Sequence, residues 1–144
     1  IGSAGFGSDI NSGYTDGFAS ASSRRELKPI LELLFADPSL VSRQLVDDVL
    51  KYKRLDGVSE LLSELGSALF GGGKQSEQPG LKLGSTADRP VLVIWGRDDQ
   101  IISVEHASNA PSGAIVEIFD GAGHMAQMER ANDVNRLIIR HVGG

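Results

Sequence analysis

The chain contains no cysteine, which excludes a disulfide framework, thiolate metal sites and a cysteine nucleophile. It has no basic block either: fourteen Lys and Arg, scattered, stand against nineteen acidic residues, for a formal charge of −5. Nucleic acid is therefore not an expected partner, because that affinity begins with clustered cations on phosphates. No apolar stretch approaches the roughly 20 residues of a membrane-spanning helix, and no basic-then-apolar leader opens the sequence. A cytoplasmic protein without a membrane partner is expected.

Phosphate-binding motifs are missing as well. Gly73-Lys74-Gln75 lacks the leading Gly and the hydroxyl residue of a phosphate loop, and the glycines of Gly2-Ser3-Ala4-Gly5-Phe6-Gly7 are wrongly spaced for a dinucleotide fingerprint. The nucleophile signature G-x-S-x-G does not occur. Its nearest approach, Ile1-Gly2-Ser3-Ala4-Gly5, has Ile where the first Gly belongs.

What is present suits one globular domain. The 144 residues are 40% hydrophobic and 23% charged, enough to bury a real core. Ile1 to Gly5 reads as the end of a strand running into a glycine turn, hence a cut edge. Residues 1 to 17, rich in Gly, Ser, Asp and Asn, read as loop. Leu27, Ile30, Leu31 and Leu34 recur at helical spacing and predict a helix over 21–36 that begins or kinks at Pro29. A second helix is expected over 39–54, with Leu45, Val46, Val49 and Leu50 inward and Arg43, Asp47, Asp48, Lys51 and Lys53 outward. A third, capped by Asp56 or Ser59, carries Val58, Leu61, Leu62, Leu65 and Leu69 toward the core and ends at Gly71-Gly72-Gly73. Arg24-Arg25 and Asp47-Asp48 read as solvated faces.

Residues 71 to 88 form a polar connection. The unbroken apolar runs Val91–Trp95 and Ile115–Phe119 then predict strands buried on both faces, the habit of parallel sheets covered by helices. A short helix near 104–109 separates them. A last helix over 129–141 carries the apolar stripe Met128, Val134, Leu137 and Ile138, with Arg130, Asp133, Asn135, Arg136 and Arg140 outward. Strand, helix, strand, helix is parallel α/β construction.

Each strand leads into a loop that carries chemistry: Gly96-Arg97-Asp98-Asp99 after the first, Gly121-Ala122-Gly123-His124 after the second. Loops at the carboxyl ends of parallel strands are where open α/β sheets place their sites. An Asp and a His that lie 25 residues apart can meet there. A carboxylate on one ring nitrogen fixes the tautomer of a His whose other nitrogen then serves as a base. Asp98 competes with Asp99 for this role. The alternative readings are a turn or helix cap for Asp98-Asp99 and an ordinary backbone-bonded side chain for His124. His106 is expected to be solvated and His141 to end the last helix, where its charged form suits the dipole. No third ligand stands at metal-site spacing.

Pro90 to Ile102 and Gly121 to Glu129 resemble the final third of α/β-hydrolase-fold enzymes. The resemblance assigns the acid to Asp99, three places after the Gly that ends the strand, and the base to His124. Further upstream, Ser23 to Asp37 and Asp47 to Gly57 are similar to the helical cap of the hydrolase-like dihydrolipoamide acetyltransferase component of bacterial acetoin-cleaving dehydrogenase systems. The resemblance implies a partial α/β-hydrolase fold. Residues 1–7 would end a core strand, 8–87 would form the helical cap and linker, and 88–144 the carboxyl-terminal part of the core. It implies a Ser-His-Asp triad whose serine and oxyanion donors lie outside the chain, with Asp99 and His124 as the catalytic residues. No cofactor or metal site is expected here, the lipoyl group belonging to an absent domain. The missing amino-terminal part of the domain and other dehydrogenase-complex subunits are the implied partners; a sheet cut there would leave Val91–Trp95 without its normal neighbour, exposed, and self-association is expected through it. An esterase or carbon–carbon bond hydrolase of the same fold, or a non-catalytic partner-binding module, would suit the same features.

Overall fold

A computed structural model describes residues 1–82 and 89–143; the rest of the expected 71–88 connection, from 83 on, lies outside the described residues. The first half is helical. Helix α1 (Ser12–Ser20) starts at Asn11, whose side-chain oxygen accepts the Tyr14 N–H. It replaces part of the loop expected over residues 1–17. The glycines that suggested a loop have another use: a Cβ on Gly17 would stand 2.5 Å from Ile30 Cδ1, so Gly17 lets α1 approach its neighbour. Tyr14 and Phe18 stack on one face at 5.8 Å.

Helix α2 (Arg24–Glu32) is shorter than the expected 21–36 and runs uninterrupted through Pro29. Its start is set by Ser23 and Glu26, whose side chains cap each other's backbone. That box and the buried Leu27 and Leu31 outweigh the hydrogen bond Pro29 removes. A 3₁₀ turn (Pro38–Leu40) leads to α3 (Arg43–Lys53), capped by Ser42. Ala21, Leu27, Leu31, Phe35, Val41, Val46 and Leu50 form the core between them. Arg24 and Asp47, read as separate solvated faces, pair across α2 and α3.

Lys53, expected to point outward, is buried. Its Nζ donates to the carbonyls of Phe18 and Ala19 and lies 4.8 Å from the Phe18 ring centre. It thereby satisfies the otherwise unpaired end of α1, and desolvation holds its pKa below the usual lysine value.

Helix α4 (Val58–Leu69) starts on Gly57 in the left-handed conformation, without the side-chain cap expected from Asp56 or Ser59. Its leucines are not core either: Leu61, Leu65 and Leu69 are exposed. A 3₁₀ turn (Gly71–Gly73) follows, and Gln75 is buried, its side-chain oxygen accepting the Gly5 N–H at 2.8 Å. The start of the connection is thus stitched to the opening loop.

The second half supplies the sheet. Strands β1 (Leu92–Gly96) and β2 (Ile115–Phe119) are parallel, paired from Leu92↔Ile115 to Gly96↔Phe119, with a 3₁₀ helix (Val104–Asn109) between them. The Gly2 N–H donates to the Ile94 carbonyl at 2.9 Å on the other edge of β1. Phe6, Val93, Trp95, Ile101, Ile102 and Ala107 make a second core, in which the Trp95 ring N–H donates to the Ile102 carbonyl. The expectation that a cut sheet would expose Val91–Trp95 is overturned: β1 is covered, and the uncovered strand is β2.

The last helix is two pieces, α5 (Ala126–Glu129) and α6 (Ala131–Val142), broken at Arg130. Arg130 lies over the Phe119 ring and bonds the Asp120 carbonyl, which pins the break to the end of β2. Of the expected stripe only Val134 is buried, and Met128 and Ile138 are exposed. Among the described residues no helix is long and apolar enough to cross a membrane.

Candidate active site

The loops after β1 and β2 meet at the carboxyl end of the parallel pair. The contact is close because Gly96 has no side chain: a Cβ there would stand 2.1 Å from the Gly123 carbonyl oxygen and 2.3 Å from that of Ala122. Asp98 ties the loops together. Its N–H donates to the Ala122 carbonyl at 3.0 Å, and its carboxylate accepts the Gly121 N–H at 3.0 Å. Of the two acids, Asp98 is occupied with backbone and Asp99 faces the histidine.

His124 Nδ1 lies 2.9 Å from Asp99 Oδ2. The Asp99 side chain is 0% exposed and that of His124 23%. Oδ1 of Asp99 accepts the N–H groups of Ile101 and Ile102 at 2.8 and 3.0 Å. An ionised carboxylate only accepts, so a neutral His124 ring facing one donates from Nδ1 and carries its lone pair on Nε2. Gly2, at φ 50°, packs on the ring: a Cβ would come 3.3 Å from Nδ1 and 3.4 Å from Cε1. The opening glycine segment is therefore one wall of the site, which its sequence did not disclose.

Two other groups escaped sequence reasoning. Glu129 accepts the N–H of Gly123, directly before His124; only its place in the motif could have signalled it. His106, expected in solvent, is buried, and its Nδ1 has no hydrogen-bond partner among the described residues. Its ring lies over Gly7, where a Cβ would be 2.6 Å from Nε2. Burial follows because the 3₁₀ helix carrying His106 is covered by the opening loop. Among the described residues no three His, Cys, Asp or Glu side chains converge as a metal site would require.

Covered parallel strand, carboxyl-end Asp and His loops, and a helical layer before them make this chain part of an α/β-hydrolase fold. Superposition supports the class: a meta-cleavage product hydrolase from Pseudomonas fluorescens matches with a TM-score of 0.78 over 99% of this chain and 54% of its own, at 22% identity. In sequence the chain is 64% identical, over 97% of its length, to the dihydrolipoyllysine-residue acetyltransferase component of the acetoin cleaving system of Cupriavidus necator. It is 32% identical over 81% of its length to a 2-hydroxy-6-oxononadienedioate/2-hydroxy-6-oxononatrienedioate hydrolase of Cupriavidus pinatubonensis. The chain spans 37% and 40% of these two relatives. No family profile matches it.

Proposed function

We propose that this chain supplies the acid and base of a Ser-His-Asp triad in a cytoplasmic acyltransferase of acetoin cleavage. The serine and the oxyanion donors would come from sequence outside it. The observation that carries the proposal is the 2.9 Å contact between His124 Nδ1 and the buried Asp99 carboxylate. The proton of the serine hydroxyl would pass to Nε2 as oxygen attacks an acyl carbonyl, and return to the leaving group when the tetrahedral adduct collapses. Asp99 stabilises the imidazolium in between. The acceptor would be a lipoyl group on another domain, and the partners the other subunits of the system, consistent with the relative in Cupriavidus necator. Alone, without nucleophile or oxyanion hole, the chain would be inactive.

A second reading, carbon–carbon bond hydrolysis by the same pair, is favoured by the hydrolase relative in Cupriavidus pinatubonensis. A substrate panel separates the two: acyl transfer to dihydrolipoamide on one side, cleavage of 2-hydroxy-6-oxononadienedioate on the other. In either case His124→Ala, placed in the longer protein that carries the serine, should lower turnover at least about 10⁴-fold. Unchanged turnover would remove His124 from the mechanism.

A further inference from the structure

Glu129 ends α5, and both of its carboxylate oxygens are engaged by backbone. Oε2 accepts the Gly123 N–H at 2.6 Å. Oε1 accepts the N–H groups of Ala36 and Asp37 at 2.8 and 3.2 Å. Gly123 immediately precedes His124, while Ala36 and Asp37 lie in the segment that follows α2. On the other side of His124, the Met125 N–H donates to the Leu34 carbonyl at 3.1 Å. Both neighbours of the histidine are therefore fastened to residues 34–37. The fit leaves no room at Gly123, where a Cβ would stand 2.7 Å from the Ala36 nitrogen. The aspartate loop is fastened to the helical layer too: Asn11, the cap of α1, donates from Nδ2 to the Gln100 carbonyl and from its backbone to that of Ile101.

We propose that Glu129 is a positioning residue for His124, and that the helical layer and the acid–base pair form one hydrogen-bonded unit through it. The proposal rests on the reading of Asp99 and His124 as that pair. Glu129 reaches neither the ring nor Asp99; it acts by holding the glycine turn that aims Nδ1 at Asp99 Oδ2. Three N–H donors converge on it, and bonds to a charged acceptor are the stronger kind. A glutamine keeps one acceptor oxygen but turns an NH₂ group toward an N–H, so it replaces the carboxylate only in part. Lifting residues 34–37 away would release the turn that carries the histidine.

The test uses the 144-residue chain, with amide hydrogen exchange and nitrogen NMR of the His124 ring on wild type, Glu129→Gln and Glu129→Ala. The wild-type ring should hold its hydrogen on Nδ1, with the Ala36, Asp37 and Gly123 amides protected. In Glu129→Ala those three amides should exchange at least about tenfold faster. The ring should drift toward mixed tautomers, while Trp95, paired in β1 with β2, keeps its protection. Glu129→Gln should fall between, and it decides the matter if the alanine variant does not fold. A fixed wild-type ring that is untouched by either substitution overturns the brace alone. A wild-type ring with no preferred tautomer overturns the acid–base reading and the brace with it.

Discussion

Strands β1 and β2 are the same length, almost equally apolar, and paired residue for residue. Their fates differ. Ile94 and Trp95 are 1% and 0% exposed, whereas Ile115, Val116 and Ile118 are 52%, 38% and 36% exposed. β1 has β2 on one edge, Gly2 on the other, and α5, α6 and the 3₁₀ helix packed against it. β2 has no comparable cover among the described residues. The same contrast separates the α2–α3 layer, where Leu27, Leu31 and Leu50 are buried, from α4, where Leu61, Leu65 and Leu69 are exposed. An apolar run shows that a surface needs cover, and a contiguous uncovered one marks a place where something else binds. The site lies on the covered side of this divide.

The contrast can be broken by mutation. Trp95→Ala should cost about 3–5 kcal/mol of stability, while Ile118→Ala should cost less, about 1–2 kcal/mol, because over a third of its surface stays in solvent. Denaturant unfolding of the two variants measures this, and equal losses would abolish the distinction. A smaller effect sharpens it. The chain should self-associate through β2 as its concentration rises, and replacing Ile115, Val116 and Ile118 together with Thr should shift sedimentation toward the monomer. A wild-type chain that stays monomeric would show that the exposed strand is not adhesive.

Much of this arrangement was legible in the residues. Ile115–Phe119 and the 104–109 turn lie where periodicity put them, and the Asp and His loops meet as their places after parallel strands implied. What was not legible depends on neighbours distant in sequence. Gly13 and Gly17 suggested a loop because glycine lowers helix propensity, yet Gly17 serves the contact with Ile30. Lys53 read as solvated because its partners are the carbonyls of another helix, and backbone acceptors leave no mark in the sequence. Glu129 was hidden for the same reason: all its partners are N–H groups. Burial of His106 required knowing that residues 6 and 7 fold back over it. Periodicity likewise identified the leucines of α4 as apolar but could not say whether this chain covers them.

In the covered half of the molecule His124 Nδ1 faces the Asp99 carboxylate, and reading the two as an acid–base pair turns on where the neutral ring carries its hydrogen. Nitrogen NMR of the His124 ring, in wild type and in Asp99→Asn, addresses it most directly. The neutral wild-type ring should carry its hydrogen on Nδ1, with Nε2 bare, and Asp99→Asn should abolish this preference. Identical ring signals in the two proteins would contradict it.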